Sequence, residues 1–358
     1  MKNGKWKKQL FYYGMLLVLG VVAGCGNGAA PQEPAAGSNA DGQEAASGGQ
    51  SAVEETTSPE APIKVALLPA GTTSPFHSKV AKGAQVKGEE LGLEVIVQAP
   101  ANESDFNAQV SMMENLIAQK VQAICVNPMD EKAVSAAIEK ANAAGIPVFF
   151  YPGMTSSAKG EVTSFIGNNQ YKVGKAMGEY AAKLLNGEGE VLILNGIPSY
   201  YANQRSGGFK DALKDYPGIT IVMEQNAEWV RDKAMQITTQ ALQAHPEIKL
   251  AFGASDEMAI GASIAAKNAG KDIFTLGIDG NPVTLEEIKK GNVTATVGTS
   301  PDKIGETIAI QMSKALKGEP VPKYLETPTV VVDIDNLEDY QAGKLWTEPV
   351  EGEEEVAN

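Results

Sequence analysis

Cysteine and histidine are scarce in this sequence of 358 residues, with two of each. Cys125 lies inside the apolar run Val121–Val126, which is typical of packing within a strand, and Cys25 belongs to the export signal discussed below. The mature chain is therefore expected to contain no disulfide and to depend on its hydrophobic core for stability. His77 and His245 are too few to predict a metal site built on imidazole ligands, and no cofactor is expected.

Basic residues are also few: the sequence has 30 Lys and Arg and 44 Asp and Glu, which gives a formal net charge of −14. A protein that neutralises phosphates needs a basic face, so this composition argues against nucleic acid as a partner. The charge is consistent with solubility.

Long hydrophobic runs are limited to Leu10–Ala23, which is too short for a comfortable membrane span. It follows four lysines (Lys2, Lys5, Lys7 and Lys8), so residues 1–24 have the pattern of a signal peptide. The run ends at Val22-Ala23-Gly24-Cys25, which resembles a bacterial lipoprotein cleavage site and implies lipidation of Cys25. An uncleaved anchor helix is the alternative, but no basic stop-transfer cluster follows. The chain is expected to be extracytoplasmic and lipid-anchored to the outer face of the cell membrane.

Both ends of the mature chain have the composition of loose segments. Residues 25–61 are rich in Gly, Ala, Ser, Pro, Gln and Glu, and they cannot bury enough apolar surface to fold. As a flexible linker they would span on the order of 30 Å. Residues 348–358 are predicted to form a frayed acidic tail.

Between these ends, short apolar runs alternate with stretches of helical period, which predicts an α/β fold with parallel sheets. Phe106, Val110, Met113 and Ile117, for example, share one helical face behind a capping stretch at residues 102–105. About 270 residues exceed the usual size of one core, so two lobes are expected. Nine strands are predicted: Ile63–Pro69, Leu93–Gln98, Val121–Val126, Val148–Tyr151, Glu190–Leu194, Ile219–Met223, Leu250–Ala254, Phe274–Ile278 and Val293–Gly298.

Motifs for common enzyme chemistry are missing. The sequence contains no phosphate-binding loop of the G-x-x-x-x-G-K-[ST] type, no G-x-G-x-x-G after a strand, no G-x-S-x-G and no H-E-x-x-H. Two S-x-x-K matches, at 156–159 and 300–303, lack a K-T-G partner and are attributed to chance. No catalytic residue is assigned, and an enzyme is not predicted.

Other segments, in order, resemble the ribose- and galactose-type periplasmic sugar-binding family over residues 62–335. The segments are Ser74-Pro75-Phe76-His77, Ile124-Cys125-Val126-Asn127-Pro128, Arg205-Ser206-Gly207-Gly208-Phe209, Ser255-Asp256-Glu257-Met258-Ala259, Gly277-Ile278-Asp279-Gly280 and Ser300-Pro301-Asp302-Lys303-Ile304-Gly305.

This resemblance implies a periplasmic binding protein of type I. Its two doubly wound parallel-sheet lobes are joined by three hinge crossings, near Asn168, near Thr299 and Ser300, and near Thr327. The N-terminal lobe would comprise residues 62–167 plus 300–327, and the C-terminal lobe residues 168–299 plus 328–347. The expected molecule is a monomer that delivers its ligand to an ABC transporter permease. A sensor that presents the same closed form to a receptor or histidine kinase is the alternative.

The resemblance also implies a ligand site between the lobes. Phe76 and Trp229 would stack on a sugar ring, while Arg205 and Asp279 would hydrogen-bond its hydroxyls. Six further positions are predicted to contact the ligand: Ser74, His77, Tyr151, Tyr200, Ser255 and Thr299.

The sequence departs from the ribose-type pattern at several of these positions. Tyr151-Pro152-Gly153-Met154 stands where ribose-type members have an Asp-Arg pair, and Ser74, Ser255 and Thr299 replace amides. Unpaired buried polar groups cost roughly 1–3 kcal/mol each, so a site that lacks these partners does not favour ribose. Another pentose, a hexose, a polyol and a furanose-like signal all remain open.

Overall fold

The computed structural model describes residues 62–154 and 157–354. The signal peptide (1–24), the lipidation at Cys25 and the linker (25–61) lie outside these residues. Among the described residues, no helix is long and apolar enough to cross a membrane.

Thirteen strands form in the described part, and most central strands are buried on both faces, as strands covered by helices must be. In chain order they are β1 (Ile63–Leu68), β2 (Leu93–Val97), β3 (Ala123–Val126), β4 (Val148–Phe150), β5 (Ser164–Gly167), β6 (Glu188–Asn195), β7 (Gly218–Asn226), β8 (Ile248–Gly253), β9 (Phe274–Asp279), β10 (Ala295–Gly298), β11 (Tyr324–Glu326), β12 (Val330–Val332) and β13 (Val350–Glu351).

Ten helices connect these strands and cover both faces of each sheet. They are α1 (Pro75–Glu90), α2 (Phe106–Ala118), α3 (Glu131–Ala143), α4 (Gln170–Leu184), α5 (Tyr200–Leu213), α6 (Arg231–Ala244), α7 (Asp256–Asn268), α8 (Pro282–Lys289), α9 (Pro301–Leu316) and α10 (Leu337–Gln341). Asp105 and Asp130 cap α2 and α3 by accepting hydrogen bonds from backbone N–H groups of the first turn.

The strands build two sheets, one per lobe. The first has the order β13-β11-β5-β4-β3-β1-β2 and the second the order β12-β10-β9-β8-β6-β7. All pairs are parallel except β11–β13 and β10–β12, which lie at the sheet edges. Separate hydrophobic clusters pack on each sheet, so each lobe has its own core.

The chain passes between the sheets three times before its last segment: after β5, after β10 and after β11. This topology confirms the two-lobed α/β fold with the three expected crossings, and the last segment adds a fourth passage when it returns to the first sheet. Asn168 and Thr327 are buried at the first and third crossings, and Thr327 N donates to Gly167 O at 2.6 Å. Ser300, at the second crossing, has a left-handed backbone conformation (φ 47°).

The C-terminal segment differs from the expected loose tail. After α10 the chain returns to the first sheet, where Val350 and Glu351 pair with β11. Gly352 N extends this pairing by donating to Tyr324 O at 2.9 Å. The pairing satisfies backbone groups at an otherwise open sheet edge, which composition alone does not reveal.

Candidate functional site

A cavity of about 790 Å³ lies between the two lobes. It is lined by loops that follow β1, β2, β3 and β4 in the first lobe and β6, β7, β8 and β9 in the second. These loops leave the carboxyl ends of parallel strands, where open α/β sheets bind ligands. The volume is in the range of pockets that enclose a small molecule.

The second lobe presents a buried charge pair to this cavity. Arg205, on α5, donates from Nη1 to Asp279 Oδ1 at 3.2 Å and to Ala254 O at 2.7 Å. Its Nε donates to Gln170 Oε1 at 2.7 Å. The Arg205 and Asp279 side chains are 7% and 10% exposed, so removing either partner would leave a buried charge uncompensated.

Asp279 ends β9 in an unusual backbone conformation, with φ at 134°. Non-glycine residues with positive φ store strain and concentrate at functional sites. Burial raises the pKa of Asp279 to about 6, and the neighbouring Arg205 guanidinium opposes that rise. Behind it, burial and the Asp279 carboxyl raise the pKa of Asp256 well above its usual range.

Trp229 forms an aromatic wall of the same lobe. Glu228 and Trp229 both have positive φ, at 57° and 64°, in the turn before α6. The indole lies directly on Gly196, where an added Cβ would come within 2.0 Å of the ring, so only glycine leaves room for it. The Arg205 guanidinium carbon lies 5.8 Å from the ring centroid, which is within reach of a cation–π contact.

The first lobe contributes Phe76 and His77 from the first turn of α1, with ring centroids 5.3 Å apart. His77 Nδ1 lies 3.4 Å from the Tyr151 hydroxyl, and His77 Nε2 lies 3.7 Å from Glu103 Oε1. Burial and the Arg205 charge lower the pKa of His77 to about 3. Burial and the Asp279 carboxyl raise the pKa of Glu103 to about 7, against the effect of Arg205. His77 is therefore uncharged at neutral pH, and its contact with Glu103 is not an ion pair.

Seven of the ten predicted ligand contacts line the cavity together: Ser74, Phe76, His77, Arg205, Trp229, Ser255 and Asp279.

The other three lie behind that lining. Tyr151 is fully buried beneath His77, and Thr299 Oγ1 donates to Asp279 O at 2.8 Å. Tyr200 packs edge-on against Tyr201, and it is Tyr201 that reaches the cavity. We expect these three side chains to act through a neighbour rather than by touching a ligand.

Several cavity residues were not predicted from the sequence. Glu103 is in the loop before α2, and Asn281 follows β9. Arg231 and Glu257, at the rim, form a bidentate pair with both N–O distances at 2.9 Å. Position at a strand end was the one available signal, and it does not distinguish a side chain that faces the cavity from one that faces solvent.

The described residues include no group of three or more His, Cys, Asp or Glu side chains arranged to hold a metal ion. What the site offers is aromatic surface next to charged hydrogen-bonding groups, which suits a ligand with both apolar C–H faces and hydroxyls.

Comparisons with known proteins agree with this geometry. A family model described as periplasmic binding protein domain matches residues 65–320. The ribose import binding protein of Bacillus subtilis (strain 168) is 33% identical over 255 residues, which are 71% of this chain and 82% of that protein.

Two solved structures share the architecture. An ABC transporter periplasmic solute binding protein from Actinobacillus succinogenes 130z, with bound D-allose, is 32% identical with a TM-score of 0.74, and the match covers 78% of this chain and 100% of that one. An ABC transporter solute binding protein from Bacillus halodurans C-125, with bound myo-inositol, is 28% identical with a TM-score of 0.73, covering 80% and 99%.

Proposed function

This chain belongs to the periplasmic binding protein domain family, in its ribose-type sugar-binding branch, and we propose from this that it captures a sugar or sugar-like polyol between its lobes and delivers it to an ABC transporter permease. Family membership places it outside the cytoplasm. The relatives named above are import or transporter binding proteins. This favours delivery of the ligand to a permease over its presentation to a receptor or histidine kinase. It also favours a binding protein over an enzyme.

The observation that carries this proposal is the buried Arg205–Asp279 pair beside the Trp229 ring, with Phe76 contributed to the same cavity by the other lobe. A sugar ring would lie between the two aromatic side chains, and its hydroxyls would reach the charge pair. Hydrogen bonds to charged groups contribute about 1.5–3 kcal/mol each, enough to orient a small ligand.

The ligand proposed is a pentose, hexose or cyclic polyol other than ribose. The segment after β4, from Tyr151 to Met154, brings no charged side chain to the cavity. Hydroxyls that an Asp-Arg pair would bind in ribose-type members must find other partners here.

Ligand capture would close the lobes about the three crossings. A ligand shifts this equilibrium only by the difference between its affinities for the closed and open forms. Contacts from both lobes, such as Phe76 and Asp279, are complete only when the cleft is closed around the ligand. No other partner chain is needed for this step, and we propose that the protein acts as a monomer.

The lipid anchor at Cys25 is part of the proposal. It would hold the binding domain near the permease on a flexible linker of residues 25–61.

Differential scanning fluorimetry against a panel of pentoses, hexoses and cyclic polyols tests the proposed function, followed by calorimetry on each compound that raises the melting temperature. A ligand that binds the native state but not the unfolded state raises the free energy of unfolding by about 2.7 kcal/mol when its concentration is 100 times Kd. We expect at least one compound to bind with a stoichiometry of one. No binding across the panel, or turnover of a bound compound into a product, would contradict the proposal.

A further inference from the structure

The first lobe supplies a single carboxyl group to the described cavity lining, that of Glu103. It belongs to the loop between β2 and α2, and its side chain is 15% exposed. A Cβ added at Gly71, in the facing loop after β1, would lie 2.9 Å from Glu103 Cγ. The Glu103 side chain therefore packs closely against neighbouring backbone on its way into the cavity.

Glu103 differs from the other cavity carboxylates because it combines low exposure with the lack of a basic partner. Asp279 is paired with Arg205, Glu257 with Arg231, and Glu228 with Lys233, and the remaining carboxylate, Asp232, is exposed at the start of α6. No described residue donates a hydrogen bond to the Glu103 carboxylate within normal hydrogen-bond distance, and His77 Nε2 remains 3.7 Å away. A buried carboxylate without donors is costly, so a ligand that fills this space gains by donating to it.

His77 and Tyr151 lie in line behind this carboxylate. When Glu103 is ionised, the neutral His77 ring is expected to orient its Nε2–H toward Oε1, although the 3.7 Å separation is too long for a hydrogen bond. Nδ1 then accepts from the Tyr151 hydroxyl at 3.4 Å. Tyr151 is fully buried, so it can affect a ligand only through its neighbours, and His77 is the cavity residue nearest to its hydroxyl in the contacts above.

We propose that Glu103 is the group with which the first lobe binds a ligand hydroxyl, and that His77 and Tyr151 are positioning residues for its carboxylate. This inference rests on the proposed function and narrows its substrate class. The ligand must carry hydrogen-bond donors toward both lobes: one hydroxyl for Glu103 and others for the Arg205–Asp279 pair. The segment after β4 brings no charged group to the cavity, so Glu103, from the loop after β2, would provide the first lobe's charged contact with a ligand hydroxyl.

The test starts from whichever panel compound binds the wild-type protein best, together with its complete set of monodeoxy analogues. Calorimetric affinities are measured for wild type, Glu103→Ala, Glu103→Gln and Tyr151→Phe. Glu89→Ala is the matched control, because Glu89 is an exposed acid on α1 outside the cavity lining. Circular dichroism melting reports whether each variant is folded. If Glu103→Ala does not fold, Glu103→Gln, which preserves the size of the side chain, takes its place in the comparison.

Glu103→Ala should lower affinity for the parent compound by about 10- to 150-fold, and Glu89→Ala should leave it unchanged. One monodeoxy analogue should bind wild type with an affinity reduced by about the same factor, and its affinity should not fall further in Glu103→Ala. The hydroxyl missing from that analogue is the one that Glu103 binds. Tyr151→Phe should weaken the parent by about fivefold and that same analogue not at all.

Two outcomes would overturn the inference alone: Glu103 variants that bind the parent like the control, or a loss that is the same for every analogue. If the wild-type protein binds no compound in the panel, the proposed function fails first and the inference fails with it.

Discussion

Replacing Glu103 with Gln tests the electrostatics of the unliganded cleft, because the amide resembles the protonated acid in size and cannot ionise. Burial raises the pKa of Glu103 from 4.5 to about 7, and the Asp279 carboxyl adds to the rise while Arg205 opposes it. His77, the nearest titratable neighbour, has its pKa lowered to about 3 and stays uncharged above pH 5. Folding therefore favours the protonated form of Glu103.

The raised pKa sets the direction and size of the effect. The stabilising contribution of the protonated acid is fully present below pH 4.5 and is lost as pH rises through 7, because the unfolded chain releases this proton first. At 1.36 kcal/mol per pKa unit, a change from 4.5 to about 7 corresponds to about 3 kcal/mol of unfolding free energy. Since the side chain is 15% exposed at the cavity, this figure is an upper limit.

Urea unfolding of the unliganded wild-type and Glu103→Gln proteins at pH 5 and pH 8 measures the effect. At pH 5, just above the ordinary pKa of 4.5, the variant should be more stable by less than about 1 kcal/mol. At pH 8 the variant should be more stable, by up to about 3 kcal/mol, because only wild type carries the buried carboxylate. Glu89→Gln, at an exposed position, should show no such dependence on pH. A wild-type-to-variant difference that is the same at both pH values would refute the reasoning.

Three other predictions concern the site, the closure and the anchor. Trp229→Ala should weaken sugar affinity in calorimetry by one to two decades, about 1.4–2.8 kcal/mol, because it removes an aromatic wall; unchanged affinity would exclude stacking. Small-angle scattering should show a smaller radius of gyration at saturating ligand, since contacts from both lobes favour the closed form, and an unchanged profile would count against closure. Cys25→Ala should move the protein from the membrane to the soluble fraction of the cells, whereas a variant that stays membrane-bound through a processed, acylated N-terminus would contradict lipidation at Cys25.

Strands that are apolar along their own sequence were predicted. Short strands whose conformation depends on pairing with other strands were missed. All nine predicted strands form, with shifted ends. The four that were missed, β5, β11, β12 and β13, have two to four residues each. β5 and β11 pair with each other from distant parts of the chain, and Phe165 of β5 stacks on Tyr324 of β11 with centroids 5.2 Å apart, although β5 also pairs with the preceding strand β4. Local hydrophobic pattern carries no information about such pairs.

The cavity was harder to predict because a strand-end loop can turn its side chains either way. Residues 102–105 were interpreted as a capping stretch for the following helix, and one of them, Asp105, does cap α2. That cap fixes where the loop joins the helix, and Glu103, two residues earlier, then faces the cavity. The sequence of residues 102–105 was equally compatible with all four side chains capping the N-terminus of α2, so it could not identify Glu103 as a cavity residue.

Thr299 and Arg205 show why the predicted contacts are better understood as parts of one network. Gln170, fully buried at the start of α4, donates to Asn168 O at 3.0 Å and accepts from Arg205 at 2.7 Å.

From Arg205 the hydrogen bonds run to the Asp279 carboxylate and, through the Asp279 carbonyl, to Thr299. Asn168 stands at the first crossing between the lobes and Thr299 at the second. The charge pair proposed to hold the ligand is therefore hydrogen-bonded to two of the segments about which the lobes would rotate, through Gln170 to Asn168 and directly from Asp279 to Thr299. A ligand that reorients the Arg205 guanidinium would change its hydrogen bond to Gln170, which is bonded in turn to Asn168, and this offers a physical route from recognition to the first crossing.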